Sequence, residues 1–229
     1  MSKICILGSG ITGLSVAYYL KKYHPTAELI ILEDLKSSGG VIASNEFGDC
    51  TVEWGPRGVR PKGNGQLVLE MVEDLGLWDE LVFADDKAKK RYLYHDNKLQ
   101  ILPHSLFSFL RSPYLGLILK AFLKDLKAEK VEDDETIAEF VDRHFGEDLR
   151  RLFFDSMVSG IWAGDISKMS ISATLPFLKK LEARKGSIIK SMFGYKPASV
   201  DAKAYPKEIT SKALFSFKNG VQTLVNKLK

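Results

Sequence analysis

The chain has 229 residues, 45% of them hydrophobic and 10% aromatic, which supplies apolar material for one substantial core or for two domains sharing an interface. Its 33 basic and 29 acidic residues leave a net charge of only +4, and no Lys/Arg-rich block stands out, so the balance argues against nucleic acid as a partner. The two cysteines, Cys5 and Cys50, have no CxxC neighbour and no nearby His, which predicts reduced structural thiols and no metal site.

Ile4-Cys-Ile-Leu7 is apolar, but glycines follow at once, so neither a signal-peptide h-region nor an Arg-rich presequence is expected. Residues 3–7 read as a fully buried strand that contains Cys5. A helix is expected over Leu14–Lys22, with Leu14, Ala17 and Tyr18 on one side and Pro25 ending it. Leu29–Leu32 reads as a second buried strand, with Glu33 at its carboxyl end. Strand, glycine turn, helix and parallel strand within 33 residues form a compact mononucleotide-binding unit. A loop with Gly39 and Gly40 follows, then a strand or hairpin through Cys50 to Trp54 and a helix over Leu67–Leu75 ended by Gly76. The runs Arg91–Tyr94 and Leu99–Leu102 predict a hairpin around Asp96-Asn97.

From Ser105 to Lys130, Leu115, Ile118, Leu119, Phe122, Leu123 and Leu126 fall at helical spacing. Asp134 is placed to cap a further helix, with Ile137, Phe140, Val141 and Phe145 inward and Gly146 at its exit. Leu149, Leu152, Phe153 and Met157 make a third stripe. Leu214–Phe217 reads as a strand, Asn219-Gly220 as a turn, and Val221, Leu224, Val225 and Leu228 as the apolar side of a last helix. The expected fold class is α/β: a nucleotide-binding domain of residues 1–85 and 213–229, with a largely helical insert over 86–212.

Gly8-Ser9-Gly10-Ile11-Thr12-Gly13 matches GxGxxG. Gly8 permits the tight turn, Gly10 lets the backbone approach a pyrophosphate, and Gly13 lets the helix pack close to the strand. The helix start offers N–H groups and a positive dipole end to phosphate. Glu33 lies 20 residues past Gly13, where a carboxylate can accept hydrogen bonds from a ribose. FAD and NAD both satisfy this pattern. Gly39-Gly40, and Glu53-Trp-Gly55-Pro56-Arg57-Gly58 beyond it, favour the more extended flavin dinucleotide, although any loop uses Gly and Pro.

The glycine motif, Glu33, Gly39-Gly40 and Gly55-Pro-Arg-Gly-Val-Arg-Pro61 together resemble the protoporphyrinogen oxidase family of the flavin amine-oxidase superfamily. The likeness continues through Arg91–Tyr94, Asp134-Glu-Thr136, Ser159-Gly-Ile-Trp-Ala-Gly-Asp165 and Ser216–Gly220. It implies a Rossmann-like FAD-binding domain with a helical inserted domain, the amine-oxidase type of FAD fold, here truncated. It further implies FAD held by Gly8–Gly13, Glu33, Asp34, Gly40, Val41 and Gly55–Gly58, a tetrapyrrole substrate, and oxygen as electron acceptor. Arg91 matches the position that pairs with a substrate carboxylate, and Gly160, Ala163 and Gly164 match small residues along the substrate pocket. Read without the resemblance, Arg91 is a solvated residue of the charged stretch Asp85–Arg91, and Gly160–Gly164 is a helix end and turn.

Val41 and Ala43 depart from the aromatic residue and Arg more frequent in that family, and Ser159 from a basic residue. The family also continues well past residue 229, so the chain is expected to be a fragment, a truncated isoform or a degraded relative. Lys120, Lys124 and Lys127 flank the apolar stripe of the insert, which suits a helix lying in a membrane interface as well as a core-facing one. The resemblance favours peripheral contact with the mitochondrial inner membrane, with a bacterial cytoplasmic membrane or the cytoplasm as alternatives, and leaves a homodimer open. Competing readings are an amine oxidase or desaturase relative and a non-catalytic fragment.

Overall fold

The computed structural model describes residues 2–95, 97–102, 111–195 and 202–229. Asp96 and residues 105–110, on which parts of the expected hairpin turn and helical stripe fall, lie outside them. The chain divides into two units, Met1–Lys89 with Ser199–Lys229, and Lys90–Ala198.

In the first unit, β1 (Lys3–Leu7) pairs in parallel with β2 (Glu28–Leu32), from Lys3 opposite Glu28 to Leu7 opposite Leu32. Helix α1 (Ile11–Tyr23) makes the crossover, burying Leu14 and Ala17. Lys21 and Lys22 in its last turn complement the negative end of the helix dipole. Neither strand is fully buried. Ile4, Ile6, Leu29 and Ile31 are half-buried, while Cys5, Leu7, Ile30 and Leu32 are exposed. A continuous apolar run does not distinguish one covered face from two, and here side chains alternate between a covered and an open face. Strands β3 (Ser44–Phe47) and β4 (Cys50–Glu53) form a hairpin, followed by α2 (Gly65–Asp74).

The unit is completed from far along the chain. Strand β5 (Leu81–Phe83) pairs antiparallel with a late strand (Phe215–Phe217). The helix Gln222–Leu228 and its N-cap Val221 then complete two clusters: Val221 and Val225 pack with Leu14 and Ile42, and Leu224 with Val72, Leu77 and Phe217.

The second unit opens with the hairpin β6 (Tyr92–His95) and β7 (Lys98–Ile101). Helices α3 (Leu115–Asp125), α4 (Ile137–His144), α5 (Asp155–Trp162), α6 (Pro176–Lys185) and α7 (Ile188–Met192) follow. Ile137, Phe140, Val141, Val158, Ile171 and Leu181 form a fully buried core. Leu152, Phe153 and Met157 are only half-buried, because a π-helical turn over Arg150–Phe154 rotates that stripe ahead of α5. Thr136, not Asp134, caps α4: its hydroxyl accepts from Glu139 N while Glu139 accepts from Thr136 N at 2.9 Å. Asp134 instead accepts from Ser172 N at 3.3 Å.

The apolar stripe of α3 is not its buried side. Leu119, Phe122 and Leu123 are exposed, and α3 buries Ala121 and Asp125. The reason is an ionic cluster at its end. Asp125 and His144 are fully buried, with His144 Nδ1 2.6 Å from Asp125 Oδ1. Asp125 also accepts from the Ser187 hydroxyl and from the N–H groups of Ile188 (3.1 Å) and Ile189 (2.9 Å), which fastens α3 to the start of α7. Glu182, equally buried, lies 3.3 Å from His144 Nε2 and accepts from Arg143 (2.7 Å) and Val131 N (3.2 Å), with Lys179 3.0 Å away. Burial pushes both carboxyls up, but hydrogen bonds from His144 and Ser187 on Asp125, and from Lys179 and Arg143 on Glu182, outweigh it. Both carboxyls sit below their ordinary range.

Candidate nucleotide-binding site

The turn from β1 into α1 is built from backbone. A Cβ on Gly13 would lie 2.0 Å from the Gly8 carbonyl oxygen, so a larger residue would push the helix off the strand. Gly10 stands at the N-cap with no side-chain hydrogen bond, and the first turn of α1 carries no acidic residue. Its leading N–H groups therefore have no capping side chain and no anion of their own, the donor set a pyrophosphate requires.

The second glycine pair packs onto this turn. Gly39 N donates to the Ser9 carbonyl at 2.9 Å, and Gly10 and Gly39 form a parallel bridge. A Cβ on Gly40 would stand 3.2 Å from the Gly10 Cα, so two stretches of bare backbone face one another. Gly55 approaches the same region from the other side, where a Cβ would fall 1.9 Å from the Val41 carbonyl oxygen. Gly58 packs on Phe215. Pro56 and Arg57 are exposed, and Arg57 has no ion pair among the described residues.

Glu33, exposed at the end of β2, turns back onto the loop. Its Oε2 accepts from Ser9 N and from the Ser9 hydroxyl, both at 2.6 Å, and its Oε1 accepts from Leu35 N at 3.0 Å. The Ser9 hydroxyl, then the Leu35 and Ser9 amides, hold its carboxyl down at about 2. Asp34 and Thr12 are exposed, and Val41 points its apolar side chain outward.

Sequence reasoning missed the braces behind the loop. Glu53 accepts from Val221 N and from the Ser44 hydroxyl, each at 2.7 Å, and Ser44 Oγ in turn accepts from Gln222 N at 3.1 Å. Gln222 Nε2 donates to the Ser38 carbonyl at 3.3 Å, next to the glycine pair. No local pattern signals these contacts, since Glu53 and Val221 are 168 positions apart.

The remaining expected site residues belong to the other unit. Arg91 is exposed, and its carbonyl accepts from Leu102 N at 2.9 Å. Gly160 is exposed on α5 with open space around it, while Ala163 closes that helix in the left-handed region at φ 51°. A Cβ on Gly164 would lie 2.3 Å from the Met169 sulfur, so part of this small-residue run is explained by local packing. Among the described residues, no hydrogen bond or ion pair joins Arg91 to this run.

A βαβ unit with bare-backbone loops, an uncapped helix start and a carboxylate at the second strand defines a dinucleotide-binding protein. Residues 11–229 match the family described as flavin containing amine oxidoreductase, and the chain belongs to that family. Similar relatives include the protoporphyrinogen oxidases of Schizosaccharomyces pombe (29% identical, 96% of this chain, 52% of that protein) and Bos taurus (32%, 96% and 49%). The coproporphyrinogen III oxidase of Staphylococcus aureus is 27% identical over 99% of this chain and 50% of its own. The chain thus spans about half the length of the curated relatives it matches. A crystal structure from Exiguobacterium sp. 255-15, titled a putative protoporphyrinogen oxidase, superposes with a TM-score of 0.70 at 23% identity, covering 99% of this chain and 50% of that one. FAD is the cofactor this fold carries, and the Gly8–Gly13 turn, Gly39-Gly40 and Glu33 fit it.

Proposed function

We propose that this chain carries the adenosine-binding part of an FAD-dependent oxidase that converts protoporphyrinogen IX to protoporphyrin IX, with oxygen as acceptor. Bound flavin supplies the hydride acceptor. The chain's own residues bind and orient: the Gly8–Gly13 turn takes the pyrophosphate, Glu33 takes the adenosine ribose, and Gly39-Gly40 leaves room for the extended dinucleotide. Arg91 is the cation for a substrate propionate, and Gly160, Ala163 and Gly164 line the path of the macrocycle. The observation that carries this reading is the bare-backbone loop with Glu33 folded onto it, in a chain whose relatives are named for porphyrinogen oxidation. A second reading, coproporphyrinogen III as substrate, is favoured by relatives of that name from Staphylococcus aureus and Bacillus subtilis that match over 99% of this chain.

No helix among the described residues is long and apolar enough to cross a membrane. The exposed Leu119, Phe122 and Leu123 on α3, beside Lys120 and Lys124, support peripheral contact with an anionic bilayer, the mitochondrial inner membrane in a eukaryotic host.

FAD titration of the chain tests the core of the proposal. Saturable quenching of flavin fluorescence with a rise in melting temperature is expected, and a chain that ignores FAD sinks it. Mixing the holoprotein with protoporphyrinogen IX and with coproporphyrinogen III, and following porphyrin fluorescence, separates the two substrates. Oxidation of coproporphyrinogen III with protoporphyrinogen IX left untouched overturns the first substrate in favour of the second.

A further inference from the structure

The carboxylate assigned to the ribose is not free in the loop. Glu33 Oε2 is engaged by two donors of one residue, the Ser9 amide and the Ser9 hydroxyl, both at 2.6 Å. The other oxygen takes a single bond, from Leu35 N at 3.0 Å. A carboxylate has about four acceptor positions, so this arrangement fixes its orientation and leaves Oε1 able to accept again. The amide contribution is available to any residue at position 9. The hydroxyl contribution is not: it needs Ser or Thr at position 9, from which the side chain reaches Glu33. Ser9 is itself buried, 4% exposed, so its hydroxyl is held against Glu33 and not spent on solvent.

We propose that Ser9 is a positioning residue, whose hydroxyl presets the Glu33 carboxylate to accept a ribose hydroxyl and so sets the affinity of the site for adenosine-bearing ligands. The proposal rests on the reading of this loop as the adenosine end of the FAD site. The Ser9 hydroxyl, ahead of the Leu35 and Ser9 amides, also holds the Glu33 carboxyl down at about 2, so the anion that receives the ribose persists over the whole working range. The same bond contributes to orientation and to ionisation. Removing it leaves the carboxylate to the Ser9 and Leu35 amides, a looser hold, and lets its proton return at higher pH.

The experiment is ADP and FAD binding by calorimetry to the wild-type chain and to Ser9→Ala, Ser9→Thr and Glu33→Gln. Ser9→Ala should weaken both ligands about fivefold, the worth of one charge-assisted hydrogen bond in a partly exposed site, and Ser9→Thr should restore them. The Ser9→Ala deficit should grow as pH falls from 7 to 4, and it should vanish against 2′,3′-dideoxy-ADP and in the Glu33→Gln background. Equal affinity of Ser9→Ala and wild type, or a deficit that survives loss of the ribose hydroxyls, overturns the proposal while leaving the FAD reading standing. A wild-type chain that binds neither ADP nor FAD overturns both. Unchanged melting temperatures of the free variants show that the loop is folded in each.

Discussion

The two units solve opposite problems with opposite materials. Around Gly8–Gly13 and Gly39-Gly40, side chains are withheld so that backbone can approach backbone, and the one conspicuous charge, Glu33, lies at the surface. Around Asp125, His144 and Glu182, charge is taken fully inside and satisfied by donors from α4, α6, the start of α7 and the loop at Val131. The lesson concerns tolerance: the first region should fail when atoms are added, the second when they are removed.

The largest effect is expected from removal in the second region. Asp125→Ala strands the His144 ring, the Ser187 hydroxyl and two amides, and should cost about 3–5 kcal/mol in urea denaturation. A loss under ~1 kcal/mol would mean that water replaces the carboxylate and that the contrast between the regions is false. Addition in the first region comes next. Gly55→Ala sets a methyl on the Val41 carbonyl and should cost about 1–3 kcal/mol, together with weaker FAD binding. Thr136→Ala, which opens the capping box of α4, should cost about 1 kcal/mol in the same assay.

The sequence announced the glycine turn, the carboxylate and many of the strands and helices, because those depend on residues within about 25 positions of one another, but it raised no expectation of β5, α6 or α7. It misread α3. Leu119, Phe122 and Leu123 satisfy the helical period, yet the buried side holds Ala121 and Asp125, since partners 19 and 62 positions away decide that face. The bracing of the loop by Glu53 and Gln222 was invisible for the same reason. Cys5 was placed inside because apolar strands look alike whether one face or both are covered.

Acid gives the smallest and finest discrimination. Glu33 has its carboxyl lowered from 4.5 to about 2 in the folded chain, so it contributes stability that is fully present above 4.5 and is lost as pH falls through about 2. The stability difference between wild type and Glu33→Gln should therefore be positive at pH 6 and shrink toward zero by about pH 2, read from melting curves. Solvent screening keeps it small, since the side chain is exposed. Asp125 and Glu182 act in the same sense in the helical unit. A difference that grows on acidification would contradict the sign.

The pairing of β5 with Phe215–Phe217 and the bond from Val221 N to Glu53 have a consequence for the order of events during synthesis. A ribosome delivers β1, α1 and β2 before the helical unit, yet the segment that braces their glycine loops emerges only after it. The helical unit, contiguous in sequence, is complete more than thirty residues before residue 229 is added. The nascent nucleotide turn must therefore wait, half-built, while its later-made neighbour folds. Stalling translation just before residue 215 should trap a chain in which the helical part resists protease and the amino-terminal part does not.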